Sequence, residues 1–113
     1  MEKHIETRPW GGFEQFTLNE VSTVKILTIK PRQRFSLQYH SHRREFWKLL
    51  DNDAKITVGK KTFRARRGAE FFIPPKTLHR IEAYKKEVHV LEISFGVFSE
   101  KDIVRVDDLY GRT

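Results

Sequence analysis

The 113 residues predict an all-β domain, a sandwich or small barrel, on three observations. Short stretches rich in β-branched and aromatic residues recur with turn signals roughly every 8–12 residues. No stretch carries the 3.6-residue apolar period of a long amphipathic helix. One segment alternates cleanly: Phe35, Leu37 and Tyr39 against Ser36, Gln38 and His40, a period-2 strand with polar groups on one face.

In chain order, Phe13 to Leu18 follows Gly11-Gly12 and reads as a first strand. Val21 to Lys30, with Val24, Ile26 and either Thr28 or Leu27-Ile29, is a second, ended by Pro31. After the alternating Phe35–His40 segment comes Phe46 to Leu50, stopped by Asp51-Asn52-Asp53. Lys55–Val58 and Lys61–Arg64 flank Gly59-Lys60, a two-residue hairpin loop whose glycine accepts positive φ. Glu70 to Ile73 is closed by Pro74-Pro75; Leu78 to Ala83 and Glu87 to Phe95 follow, separated by Tyr84-Lys85-Lys86. Ser99 to Tyr110 reads as one helical turn capped by Ser99 or as an extended tail. The sum is about eight or nine short strands in one domain, residues 1–113.

Composition narrows the class. Hydrophobic residues make up 38% and charged residues 33%, a balance that suits a soluble globular chain of one core. Leaving Gly and Pro aside, the longest apolar run is Phe71-Phe72-Ile73, so no membrane span or membrane partner is expected. Met1-Glu2-Lys3-His4 lacks the apolar region of a secretory leader, and with no cysteine the cytoplasm is the expected address. The net charge of +7 admits nucleic acid, an anionic surface or phosphorylated small molecules as partners, and fits equally a highly charged solvated surface. Arg64-Ala65-Arg66-Arg67 lacks interleaved aromatic stacking positions, which argues against nucleic acid. Trp10 and Trp47 read as core or interface anchors, and His4 and His89 as residues without a chemical role.

Chemistry concentrates in Gln38-Tyr39-His40-Ser41-His42-Arg43-Arg44-Glu45. Period 2 places Gln38, His40 and His42 on one face, and Glu45 opens the next strand after a corner. His79 follows Pro74-Pro75-Lys76-Thr77-Leu78 far along the chain. Amide oxygen, imidazole and carboxylate together suit one divalent first-row ion: Zn²⁺, Mn²⁺, Fe²⁺, Co²⁺ or Ni²⁺. An isolated His-x-His at a strand end is more often two exposed histidines.

The spacing resembles the two cupin motifs. Arg32, Gln38, His40, Glu45 and Asn52 stand at the steps of the first, and Gly68, Pro74, Lys76, His79 and Ala83 at those of the second. Ligand positions are kept while several turn glycines are not; Asn52 is expected to supply left-handed backbone in place of one. Within the cupins, Arg8-Pro9-Trp10-Gly11, Ser36 through Trp47, Ile73-Pro74, His79-Arg80, Asp102 through Arg105 and Asp107 through Arg112 resemble the type II mannose-6-phosphate isomerase domain, nearly end to end. Where that family has His beside the tryptophan, this chain has Phe46. The resemblance implies a cupin barrel (a double-stranded β-helix) and metal ligands Gln38, His40, Glu45 and His79, with His42 as an alternative ligand or substrate contact.

It further implies interconversion of mannose 6-phosphate and fructose 6-phosphate, with a metal polarising the carbonyl and a general base moving a proton between C1 and C2. His42, Glu70, Glu82, Glu92 and His89 are available as that base, and His42 and Glu92 are selected. Arg43 and Arg80 match the family beside the ligands and are assigned to the sugar phosphate, with Lys48 and Arg112 as further candidates. No Gly-rich nucleotidyltransferase signature is present, so guanylyltransferase activity is not expected. Two other readings stand beside a stand-alone isomerase: a non-catalytic cupin that binds a sugar or metal, and a cupin enzyme acting on a nucleotide-sugar. A homodimer is expected, because small cupins pair through sheet extension or strand exchange.

Overall fold

The computed structural model describes residues 3–107, which form eleven β-strands and no helix. They are β1 (His4–Arg8), β2 (Gly11–Gln15), β3 (Ser22–Ile29), β4 (Leu37–Tyr39), β5 (Arg44–Leu49), β6 (Ala54–Val58), β7 (Lys61–Ala65), β8 (Glu70–Ile73), β9 (His79–Ala83), β10 (Val88–Phe95) and β11 (Val104–Asp107). β1 is an addition to the sequence expectation. It has no apolar alternation of its own and is held by antiparallel pairing with β2 across Pro9-Trp10. That pairing requires Gly12, because a Cβ there would collide with the carbonyl oxygen of Glu6. β11 settles the choice left open for the tail: Asp102 N–H bonds the Ser99 carbonyl in a single turn, and the chain then extends to pair with β4.

Two sheets face each other, one ordered β3-β10-β5-β8 and the other β11-β4-β9-β6-β7. The expected Gly59-Lys60 hairpin joins β6 and β7, with Gly59 at φ 62°. Ile29, Trp47, Leu49, Ala54, Ile56, Ile73, Ile81, Ala83, Val88 and Val90 form the core between the sheets. Fully burying a side chain such as Leu49, Ile56 or Ile81 stabilises the fold by about 1.5–3 kcal/mol each.

The inward faces carry a polarity gradient that positions the site. Along β10 the inward residues run Val88, Val90, Glu92, Ser94; along β5, antiparallel to it, they run Glu45, Trp47, Leu49. Along β9 they run His79, Ile81, Ala83. One end of the interior is therefore aliphatic and the other holds buried Ser94, Glu45 and His79. The opposite face of β5 and β10 packs Phe46, Ile93 and Phe95 against Phe16.

Left-handed backbone falls where the glycine steps of the motifs would be. Arg32 has φ 65° and Lys76 has φ 62°. Asn52 does not have it; its side-chain amide instead donates to the Glu87 carbonyl at 2.8 Å. A hydrogen bond to a neighbouring strand end replaces the turn geometry expected of it.

Candidate metal centre

Three side chains converge at the polar end. His40 at the end of β4, Glu45 on β5 and His79 at the start of β9 each offer a ligand atom, all within 4.8 Å of one another. They are 3%, 1% and 1% exposed. Cross-strand pairing brings them together, as Glu45 sits opposite Ser94 and Ile73 and His79 sits opposite Gln38 and Val58. Lys76 completes the arrangement: its left-handed turn lets its N–H bond the His40 carbonyl at 2.6 Å, fixing the loop before His79 beside His40.

Hydrogen bonds fix both histidine tautomers. His79 Nδ1 lies 2.9 Å from the Thr77 carbonyl and His40 Nδ1 lies 2.7 Å from the Asp102 carbonyl; a carbonyl only accepts, so both Nδ1 atoms carry hydrogen. In the neutral form of each ring Nε2 then presents its lone pair to the interior. Burial pushes His79 down to about 4, against the opposing pull of the Thr77 bond and the Glu45 charge, so its imidazole is neutral near pH 7. Phe35 and Trp47 pack edge-on against the His79 ring and hold its plane.

The carboxylate is held at one oxygen. Glu45 Oε2 accepts from Arg43 Nε and from Ser94 Oγ, each at 3.1 Å. Glu45 Oε1 and His79 Nε2 are buried 3.7 Å apart, without a hydrogen-bond partner among the described residues. Two facing acceptors with no proton between them repel, and stranding such groups costs about 1–3 kcal/mol apiece. A cation bound by both removes that cost. Two imidazoles and a carboxylate in a dry site suit Zn²⁺, Mn²⁺, Fe²⁺, Co²⁺ or Ni²⁺, and they do not select among these.

The other expected site residues divide by strand face. Gln38 shares the His79 face, and its Oε1 accepts from buried Ser36 at 2.6 Å. Glu92 lies on the inward face directly across from Trp47. Burial, then the nearby Glu45 charge, pushes its carboxyl up to about 7. Arg43 reaches the triad, where three of its five N–H groups are directed to Glu45, His40 and the Ser99 carbonyl.

Arg80 is not brought to the triad. It follows His79 on the same strand, so alternation turns it to the other face, where it bonds Asp107 beside Thr57 and Glu82. Lys48 shares the outward face of Phe46 and pairs with Glu14 and Glu70. His42 is exposed beside Glu20, Arg44 and Pro75, and its backbone N–H donates to Asp102 Oδ2. Arg112 lies outside the described residues. Phe46 faces outward, so the histidine of the family pattern at this step would not join the triad either.

Three supporting residues escaped sequence reasoning. Asp102 orients His40 through its carbonyl and caps the Ser41 and His42 N–H groups with its carboxylate. Ser94 holds Glu45. Arg105, on β11 directly across from Gln38, shares the site face, and its Nε is buried without a hydrogen-bond partner among the described residues. The only sequence signal for Asp102 and Arg105 was their place in a block shared with the resembled family.

Comparison with known proteins gives the family and the fold. The profile of the family described as "Mannose-6-phosphate isomerase C-terminal" matches residues 1–108. The chain is 36% identical over 115 aligned residues to the alginate biosynthesis protein AlgA of Pseudomonas aeruginosa, covering 99% of this chain and 24% of that protein. It is 33% identical over 113 aligned residues to the mannose-1-phosphate guanylyltransferase RfbM of Salmonella typhimurium, covering 97% of this chain and 24% of that one. The chain thus spans about a quarter of the length of the curated relatives it matches.

Solved structures match at the level of the fold. The capsular polysaccharide assembling protein CapF of Staphylococcus aureus superposes with TM-score 0.67 at 13% identity, over 95% of this chain and 33% of that one. A conserved protein with a double-stranded β-helix domain from Klebsiella pneumoniae gives TM-score 0.67 at 14% identity, over 82% of this chain and 80% of its own. The chain has the cupin fold and belongs to the mannose-6-phosphate isomerase C-terminal family.

Proposed function

We propose that this domain is a metal-dependent sugar-phosphate isomerase interconverting mannose 6-phosphate and fructose 6-phosphate. The observation that carries the reading is the buried His40–Glu45–His79 triad, with its facing unpartnered acceptors, inside a domain of this family. His40 Nε2, Glu45 and His79 Nε2 would hold the ion, with Gln38 beside them on the same face. A bound divalent ion supplies Lewis-acid polarisation of a carbonyl oxygen.

The remaining roles fall to this chain's own side chains. Glu92, raised to about 7, can both take and return a proton near neutral pH, as an exchange between C1 and C2 requires. Arg105, facing the same side as Gln38, is the cation assigned to the phosphate in place of Arg80 and Lys48. A homodimer belongs to the same proposal. It is supported by the exposed Ile5 and Trp10 of the β1–β2 hairpin and by Val24 and Ile26 along β3, an eight-residue edge strand. Among the described residues no helix is long and apolar enough to cross a membrane.

A coupled assay of mannose 6-phosphate conversion, on protein stripped of metal and then given Zn²⁺, Mn²⁺ or Co²⁺, tests the activity. Turnover restored by one of these ions is the expected result. Folded protein that binds the ion yet turns over neither this sugar phosphate nor its ketose would leave a binding cupin as the better reading.

A further inference from the structure

Arg43 is an unusual neighbour for a metal site. It is only 9% exposed and is the most exposed member of the cluster it forms with His40, Glu45 and His79. Its Nε donates to Glu45 Oε2 at 3.1 Å and its Nη1 to the Ser99 carbonyl at 2.9 Å. Its Nη2 stands 3.3 Å from His40 Nε2. A guanidinium has no lone pair, so in that last contact His40 Nε2 must be the acceptor. The Phe98 ring lies 4.4 Å from the guanidinium carbon and backs the group from the other side.

The guanidinium therefore uses the His40 lone pair that a metal needs, and it neutralises the Glu45 charge that a metal would neutralise. Two cations cannot both take the same imidazole lone pair, and in a dry site their mutual repulsion is weakly screened. On the reading of the triad as a metal centre, we infer that Arg43 is a built-in competitor of the divalent ion. Metal binding at His40–Glu45–His79 is an exchange in which the guanidinium gives up His40 Nε2. Glu45 Oε1 and His79 Nε2 are the uncontested ligand atoms where the ion first gains a hold. Arg43 is in this sense a positioning residue that sets metal affinity and keeps the carboxylate paired when metal is scarce.

Calorimetric titration of Co²⁺ into metal-stripped wild type, Arg43→Gln, Arg43→Lys and His79→Ala tests the exchange. Arg43→Gln removes the competing charge, so it should bind Co²⁺ at least about 10-fold more tightly than wild type, the scale on which groups around a metal's ligands alter affinity. Arg43→Lys keeps the charge and should stay close to wild type. Without metal, Arg43→Gln should melt below wild type, and saturating Co²⁺ should close that gap. Equal or weaker binding by folded Arg43→Gln overturns the exchange, while loss of binding in His79→Ala alone leaves the metal centre standing. No binding by any of the four proteins overturns both.

If Arg43→Gln does not fold, the wild-type chain still decides. Zn²⁺ titration should shift the Arg43 Nε–H resonance and speed its hydrogen exchange. A resonance unmoved at saturation would overturn the inference.

Discussion

Two of the histidine–carboxylate pairs among the described residues, His79–Glu45 and His89–Asp51, are built from the same chemistry and pushed in opposite directions. At the polar end His79 lies 3.7 Å from Glu45, both are fully buried, and burial holds the imidazole down to about 4. Elsewhere on the barrel His89 Nδ1 lies 2.5 Å from Asp51 Oδ2 with Glu87 nearby, at the surface, and the Asp51 bond raises its pKa above the ordinary 6.5. The first is a ring whose neutral form burial favours, with its lone pair toward a carboxylate; the second is a ring whose charged form the Asp51 bond favours. A carboxylate neighbour favours the charged ring in both, so the difference in burial decides the direction in which each ring is pushed.

Removing the buried ring should break this contrast most severely. His79→Ala deletes a ligand and should lower divalent-ion affinity by more than about 100-fold, beyond what second-sphere changes cause. Metal content after dialysis reads it directly, and a variant that retained stoichiometric metal would mean that the triad is not the ligand set.

Glu92→Gln comes next. Losing a proton-transfer group should cut turnover by about 10²–10⁴ while leaving bound metal unchanged. The same variant separates two opposed pH effects in metal-stripped protein. His79 is held below 6.5, so the unfolded chain takes up a proton the barrel refuses and stability falls as pH drops from 6.5 toward 4. Glu92 is raised from 4.5 to about 7, so the barrel keeps a proton the unfolded chain releases, and stability falls as pH rises across that interval. The two slopes oppose each other between 4.5 and 6.5. Without Glu92 the His79 slope stands alone, and stability should climb with pH by up to about 3 kcal/mol. Denaturant melts at several pH values check this; parallel curves for variant and wild type would remove Glu92 from the account.

A smaller effect is expected at the turn that delivers His79. Lys76→Gly relieves left-handed backbone at a non-glycine residue and should raise stability by about 0.5–1 kcal/mol, part of the relief being lost to greater chain entropy when unfolded. Thermal melts measure it, and a loss of stability would show that the Lys76 side chain contributes more than its backbone costs. The smallest change belongs to the surface pair. Stability from His89–Asp51 is present below 6.5 and is lost as pH rises through the raised value, so His89→Gln should differ from wild type in acid and converge with it in alkali. A constant difference at all pH values would mean that charge is not what the pair supplies.

The site was legible where a local rule sufficed. Alternation put Ser36, Gln38 and His40 on one face, and the motif spacing picked out Glu45 and His79. The same alternation held the signal that Arg80 and Lys48 point away, since Arg80 adjoins His79 and Lys48 adjoins Trp47 on the strands they share. Asp102 was not legible as a support for His40, because 62 positions separate them and only the return of β11 to β4 joins them.

By itself, the sequence determined an all-β chain, the positions of most of its strands, and a set of imidazole, amide and carboxylate groups at ligand spacing. These follow from period-2 alternation and turn chemistry, which act over a few residues. Tertiary structure alone decided which of those groups lose water, which ring nitrogen of His40 and of His79 carries hydrogen, and that Arg43 donates to Glu45 and His40. Those are properties of contacts between strands far apart in the chain, and a buried group's charge state is set by the neighbours that replace its water.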